Sequence, residues 1–207
     1  MPGKKNAPQS RRPRRPPANA STAFPIVRVM ETLRRAVRQW KMPIVTELSQ
    51  SEGDPFLVLI STILSLRTKD QTTAAASAKL FALARTPEAM LQLKENQIAT
   101  AIYPVGFYRV KARTIRAVCA ALLQRHGGRV PDDLDALLAF KGIGRKTANL
   151  VLTLGFGKPG ICVDTHVHRI TNRWGYVATR TPEQTEMALR RRLPGRYWFS
   201  SSAGRRT

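Results

Sequence analysis

Cysteines, acidic residues and long apolar runs are all scarce in this chain of 207 residues. Two cysteines, Cys119 and Cys162, are too few for a disulfide framework or, by themselves, for a zinc site, which favours a reducing compartment. No apolar run approaches the length of a membrane span, and the N-terminus lacks the apolar segment of a secretory signal. No useful stretch alternates apolar and polar residues, so a sheet is not expected. These absences predict a helical, cytoplasmic protein with no membrane partner.

Basic residues outnumber acidic ones, with 35 Lys and Arg against 13 Asp and Glu, for a net charge of +22. Twelve of the basic residues lie in residues 1–20 and 190–207, which contain no acid, and the rest of the chain still carries +10. Such an excess raises the local concentration of phosphate-bearing partners without selecting a sequence. The charge therefore predicts a nucleic-acid partner.

Apolar residues recur at helical spacing from residue 24 onward, and the 43% hydrophobic content fits a globular core. Helix starts are indicated at Asp54-Pro55, Thr86-Pro87 and Thr181-Pro182, where a capping side chain precedes a proline. Helices are predicted over 56–66, 69–84, 87–94, 95–103, 107–126 and 131–140. Residues 1–23 are rich in proline and arginine and predict a disordered basic arm. Whether that arm tethers DNA or is an unselected extension is left open.

Two glycines, Gly142 and Gly144, flank Ile143 between a helix that ends near Phe140 and one that begins near Arg145. Ile143 can fill the gap between these helices, while the amides of residues 142–144 face outward at the positive end of the second helix. Such a site binds a phosphate and carries no base preference. A lone Gly-x-Gly is more often an ordinary turn, but the basic residues beside this one favour a helix-hairpin-helix that binds DNA.

Lys146 and Asp164, eighteen residues apart, are candidates for chemistry. Near a helix N-terminus a cation is disfavoured by ~0.3–1 kcal/mol, which favours the neutral amine that a nucleophile needs. The alternative for Lys146 is a phosphate contact. Asp164 either caps the helix 165–174 or stabilises a sugar cation beside the DNA. His166 and His168 point to different helix faces, so no metal site is expected.

The segments 142–149 (GIGRKTAN) and 163–166 (VDTH) closely resemble the endonuclease III family of the helix-hairpin-helix (HhH-GPD) DNA glycosylases. The resemblance extends from about Pro25 to Pro194. Three further segments fall where the family has corresponding ones, namely 60–72, 105–112 and 128–131.

This resemblance implies base-excision repair of double-stranded DNA. The DNA would hold either a damaged base of the oxidised pyrimidine class or an abasic site. Lys146 would attack C1′ of a flipped nucleotide, expel the base and form a Schiff base, after which β-elimination nicks the strand. Asp164 would stabilise the sugar cation and assist proton transfers. The implied DNA-binding residues are Gly142, Ile143, Gly144, Arg145, Arg67, Phe107 and Lys111.

The roles of two of these residues have alternative interpretations. Phe107 resembles a wedge residue that enters the base stack, but it could instead pack under a turn. Arg67 lies where many bacterial relatives have glutamine, and it either touches DNA or closes a network at a helix end.

The implied fold is all-α, with two helical lobes around a DNA-binding cleft and a helix-hairpin-helix motif, in a monomer that associates with the nucleoid. The predicted units are a disordered basic arm (1–23), the N-terminal helix and linker of the second lobe (24–54), the helical glycosylase lobe (55–160) with the hairpin at 137–149, the remainder of the second lobe (161–199) and a disordered tail (200–207).

The cysteine pattern departs from the family. Relatives usually bind a [4Fe–4S] cluster through cysteines spaced C-x6-C-x2-C-x5-C, starting roughly fifty residues after the aspartate. Here 43 residues follow Asp164 and none is a cysteine. We therefore expect no bound cofactor and a chain truncated or shifted in reading frame near Phe199. The alternative function is a non-catalytic helix-hairpin-helix DNA-binding protein.

Overall fold

The computed structural model describes residues 24–40 and 43–198, so the predicted disordered arm and tail lie outside the described residues. Within those two ranges the secondary structure is helical, with no strand, and the predicted all-α class is confirmed. The helices are α1 (Ile26–Val37), α2 (Ile44–Glu52), α3 (Pro55–Ser65), α4 (Asp70–Leu83), α5 (Pro87–Gln92), α6 (Glu95–Ile102), α7 (Tyr108–His126), α8 (Leu134–Leu138), α9 (Arg145–Phe156), α10 (Thr165–Arg173), α11 (Pro182–Arg192) and a 3-10 turn, Gly195–Tyr197. None of these described helices is both long and apolar enough to cross a membrane.

The predicted helix starts are confirmed by their caps. Asp54 accepts a hydrogen bond from the Phe56 amide at 2.7 Å, and the hydroxyls of Thr86 and Thr181 accept from the third residue of α5 and of α11. Each of these caps precedes a proline, whose missing N–H costs nothing in a first turn.

Two helices differ from the prediction. The helix predicted over 131–140 is shorter, because Asp133 caps α8 at residue 134 and the hairpin turn follows residue 138. Helix α2 lies inside the predicted linker. It follows Pro43, ends at Gly53 and packs on α3, α4 and α9.

The larger core surrounds α3, whose residues from Phe56 to Leu64 are all buried. A helix that is apolar on every side must be enclosed by its neighbours. Helices α2, α4, α7 and α9 contact it, and α5 and α6 pack on α7. The hairpin helix α9 is thus anchored directly on α3, the most buried of the described helices.

A smaller apolar cluster lies beyond α9 and contains Ile161, Val163, Tyr176, Val177 and Leu189. The N-terminal segment returns to this cluster, where the Phe24 ring stacks on Trp174 with centroids 5.1 Å apart. The first and last parts of the described chain therefore pack together. The exact boundaries between the two lobes stay a prediction.

Candidate active site

In the turn between α8 and α9, the isoleucine is buried and its amide is bonded inside the turn, whereas no described residue accepts the amides of the two glycines. Gly142 has a φ of +91°, and a Cβ there would lie 2.9 Å from Cγ2 of Thr114. Ile143 is buried in the larger core, as expected for a side chain that fills the gap between two helices. Its amide donates to the Phe140 carbonyl at 3.1 Å. The prediction that this amide faces a phosphate is therefore wrong, because its hydrogen is used inside the turn.

Gly142 and Gly144 keep the donors for an anion site. Gly144 is the N-cap of α9 and supplies no side-chain cap. Across the described residues, no acceptor takes the amide of either glycine. Unpaired N–H groups at a helix N-terminus, on the positive end of the dipole, favour a phosphate.

Alanine substitutions at the two glycines are expected to differ in their cost to stability. Gly142→Ala should lower the free energy of unfolding by roughly 1–3 kcal/mol, because its φ is left-handed and Thr114 must move. Gly144→Ala should cost less than about 1 kcal/mol, because its φ is ordinary and its Cβ would meet open space. Urea unfolding measures both. Equal losses in the two variants would contradict the geometry described for the turn.

Lys146 and Asp164 lie side by side at two helix N-termini. Lys146 is in the first turn of α9, Asp164 is the N-cap of α10, and the lysine Nζ lies 3.0 Å from Oδ2 of the aspartate. Both remain reachable, with 45% of the lysine and 30% of the aspartate side chain exposed. An amine and a carboxylate that meet at an accessible position can exchange a proton and act on the same substrate atom.

The second oxygen of Asp164 is fixed by the backbone. Oδ1 accepts the amides of His166 and Val167, both at 2.9 Å, while Oδ2 faces Lys146. Burial tends to raise the pKa of Asp164. The backbone hydrogen bonds and Lys146 outweigh it and hold that pKa below the usual range. The carboxylate is therefore ionised at neutral pH. The cap and the chemical partner, weighed as alternatives from the sequence, use different oxygens of one side chain.

Arg145 serves the contact between the lobes. Its Nε and Nη2 donate to the buried carboxylate of Glu186 on α11 at 2.9 and 3.0 Å. Arg190 donates to the same carboxylate at 3.0 Å and to Asn149 on α9 at 2.7 Å. The charge of Arg145 is thus directed at Glu186, and the DNA contact expected of this residue stays a prediction. Only the four-residue spacing of Glu186 and Arg190 was visible in the sequence.

Removing the carboxylate of Glu186 should destabilise the protein. Glu186→Ala leaves two guanidinium groups beside a buried site without their shared carboxylate, and breaking a buried ion pair typically costs about 3 kcal/mol or more. Thermal or urea unfolding measures the loss. Glu183→Ala removes an exposed carboxylate from the first turn of the same helix and is the matched control. Comparable stability in the two variants would contradict this role.

The same carboxylate predicts an acid-sensitive contribution to stability. Burial tends to raise the pKa of Glu186, but hydrogen bonds from Arg145, Arg190 and Asn149 hold it below its usual range. A group whose folded pKa is depressed stabilises the fold above the unfolded glutamate value, about 4.3, and loses that contribution as the pH falls through the folded pKa. The difference in stability between the unmodified chain and Glu186→Ala should therefore shrink in acid.

Arg67 and Phe107 lie together on the surface. The Arg67 Cζ is 5.7 Å from the centroid of the Phe107 ring, and 62% of Phe107 is exposed. Packing of this ring under a turn, the alternative considered from the sequence, does not occur. Lys111 differs, because only 6% of it is exposed and its ammonium donates to oxygens at the end of α3. The predicted DNA contact of Lys111 is therefore wrong.

A cavity of about 580 Å³ opens beside Lys146. Its walls come from α1, α2, α9, α10 and α11 and are mainly apolar, with Met30, Leu150, Ile161 and Trp174 among them. A space of this size, with Lys146 in its lining, can hold a small ligand.

The residues present do not fit a [4Fe–4S] cluster. Such a cluster needs four thiolate ligands, and the sequence has two cysteines in separate regions. Cys119 is fully buried in α7, and burial raises the pKa of Cys162 to about 11, which keeps that thiol protonated. In the described part of the chain, no three His, Cys, Asp or Glu residues are grouped to hold a metal.

Comparison with known proteins finds a family and individual relatives that agree with each other. Residues 60–195 match the family described as HhH-GPD superfamily base excision DNA repair protein. Endonuclease III of Thermotoga maritima is 52% identical over 150 residues, which cover 72% of this chain and 70% of that protein. Endonuclease III of Escherichia coli strain K12 is 43% identical over 152 residues, which cover 73% and 71%.

Solved structures agree with the sequence relatives. A non-covalent endonuclease III–DNA complex superposes with a TM-score of 0.76 and 30% identity, over 86% of this chain and 81% of that one. A trapped covalent endonuclease III–DNA intermediate gives the same TM-score and identity over 89% and 83%. Since the family match spans most of the chain and the relatives share this fold, the chain belongs to the HhH-GPD superfamily of base-excision DNA repair proteins.

Proposed function

We propose that this protein is a bifunctional DNA glycosylase and abasic-site lyase that acts on double-stranded DNA with a damaged base, of the oxidised pyrimidine class. The observation that carries the proposal is the 3.0 Å separation between the Lys146 amine and the Asp164 carboxylate beside a cavity. A lysine nucleophile forms a Schiff base with the sugar and so allows strand cleavage as well as base removal. An enzyme without this amine only hydrolyses the glycosidic bond.

The reaction follows from these two groups. The unprotonated amine of Lys146 attacks C1′, the bond from C1′ to the base breaks, and the base leaves with the bonding electrons and takes up a proton. The sugar ring then opens, and a Schiff base joins Nζ to C1′. Loss of a proton from C2′ expels the 3′ phosphate. Asp164, 3.0 Å from the amine, stabilises as a carboxylate the positive charge that develops on the sugar, and it then accepts the proton that the nitrogen releases after bonding to C1′.

DNA is held by groups around this pair. The free amides of Gly142 and Gly144 bind a backbone phosphate, and Arg67 with Phe107 enters the space left by the extruded nucleotide. The cavity beside Lys146 accepts the flipped base. The endonuclease III structures described as DNA complexes, one of them covalent, support this assignment. A cytoplasmic location at the nucleoid and a monomeric state stay predictions.

Borohydride trapping on a duplex with one abasic site tests the proposal. Reduction of the Schiff base should give a stable protein–DNA adduct, and a second duplex with an oxidised pyrimidine should give free base and a nicked strand. An undamaged duplex is the control. Binding to the abasic duplex without any adduct would overturn the proposal and favour the alternative of a non-catalytic DNA-binding protein.

A further inference from the structure

Lys111, in the first turn of α7, uses every N–H of its ammonium inside the protein. Nζ donates to the carbonyls of Leu64 and Leu66 at 2.8 and 2.5 Å, and to the hydroxyl of Thr68 at 3.1 Å. An ammonium has three hydrogens, so none is left for a phosphate. The first two acceptors are carbonyls at the C-terminal end of α3, where the helix dipole favours a cation.

Thr68, one of the acceptors of Lys111, also joins two loops, one at residues 66–69 and the other at residues 103–107. The Thr68 hydroxyl that accepts from Lys111 also accepts the Gly106 amide at 3.2 Å. The loops meet backbone to backbone, since a Cβ at Gly106 would lie 2.7 Å from the Arg67 carbonyl oxygen. Only glycine fits this close approach, so the position of one loop sets the position of the other.

Each loop carries an exposed side chain on a strained residue. Arg67 has a φ of +53° and Phe107 has a φ of +58°. Residues other than glycine rarely adopt this left-handed backbone conformation. Such residues persist where their surroundings hold them. Here the surroundings hold an exposed aromatic ring beside a guanidinium, with the Arg67 Cζ 5.7 Å from the centroid of the Phe107 ring.

We propose that Lys111 is a positioning residue that fixes the loops at 66–69 and 103–107 as one rigid wedge, so that Arg67 and Phe107 enter the DNA stack together. This inference rests on the proposed function, because a wedge needs a duplex with an extruded nucleotide. An apolar side chain could fill the same volume but could not bind the carbonyls of Leu64 and Leu66 and the hydroxyl of Thr68. Burial lowers the pKa of Lys111 to about 8, which still leaves the ammonium mostly charged at neutral pH.

Fluorescence of 2-aminopurine placed opposite a stable abasic analogue tests the inference. Insertion of the wedge unstacks the opposite base, so the unmodified chain should increase the fluorescence at saturating protein. Lys111→Met, which keeps the apolar stem and removes the donors, should lose more than half of that increase while still binding the duplex. Thr68→Val, which removes only the shared hydroxyl, should lose a smaller part. Phe107→Ala should abolish the increase, because it removes the exposed ring that would enter the stack.

The outcomes separate positioning from a merely structural role. A full increase with Lys111→Met, or no increase with the unmodified chain, would overturn the inference. If circular dichroism shows that Lys111→Met does not fold, Thr68→Val decides, and a full increase with that variant overturns it. The analogue cannot form a Schiff base, so a missing borohydride adduct on a natural abasic site would defeat the proposed function without affecting this result.

Discussion

Replacing Lys146 with glutamine is expected to abolish the borohydride-trapped adduct and to slow strand cleavage by roughly a thousandfold or more. Glutamine keeps the length of the side chain but has no nucleophilic amine, so no Schiff base forms. The main-chain amides at the start of α9 are unchanged, and DNA affinity should therefore be largely retained. Trapping yield on a gel, with binding measured by fluorescence anisotropy, gives both quantities.

Lys79→Gln is the matched control for this experiment. Lys79 is an exposed lysine of α4 that does not line the cavity beside Lys146, so the variant loses the same charge at a distance from the site. It should form the adduct at the rate of the unmodified chain. An adduct from Lys146→Gln that matches the Lys79→Gln control would show that another amine performs the reaction.

Replacing Asp164 with asparagine is expected to separate catalysis from helix capping. Asparagine caps helices about as well as aspartate, and its oxygen can still accept the amides of His166 and Val167. The group facing Lys146 becomes an uncharged amide that can neither accept the lysine proton nor stabilise a sugar cation. Trapping under single-turnover conditions should slow on the order of a hundredfold, while the midpoint of thermal unfolding changes little.

Asp54→Asn is the control for the aspartate variant. Asp54 caps α3 through the same kind of carboxylate hydrogen bond, at 2.7 Å, but has no part in the candidate site. Its asparagine variant should trap DNA at the unmodified rate. If Asp164→Asn lost stability and activity in parallel, the aspartate would be a cap alone and the chemical role assigned to it would fail.

Local sequence patterns predicted the parts of this protein that are set by local interactions. A capping side chain before a proline marked the starts of α3, α5 and α11, because both residues act within the first helical turn. The turn at Gly142 was equally readable, since its left-handed φ favours glycine. The pairing of Lys146 with Asp164 came from family resemblance, and the structure places these two residues in contact.

Local patterns did not reveal side-chain partners that lie far along the chain. Arg145 and Lys111 were assigned to DNA because they are basic and lie beside the right motifs. Their partners, Glu186 and the 64–68 segment, are more than forty residues away in the sequence. Periodicity carries no information on which charge a folded chain brings to a given arginine or lysine. Only tertiary packing shows that these two charges are used inside the protein.

Peptide mapping of the borohydride-reduced adduct tests the central claim most directly. After nuclease and protease digestion, mass spectrometry should find the sugar remnant on the side-chain nitrogen of Lys146 and on no other residue. A remnant on Lys141, on Lys111 or on the N-terminal amine would contradict the account, because the amine that faces Asp164 would then not be the nucleophile.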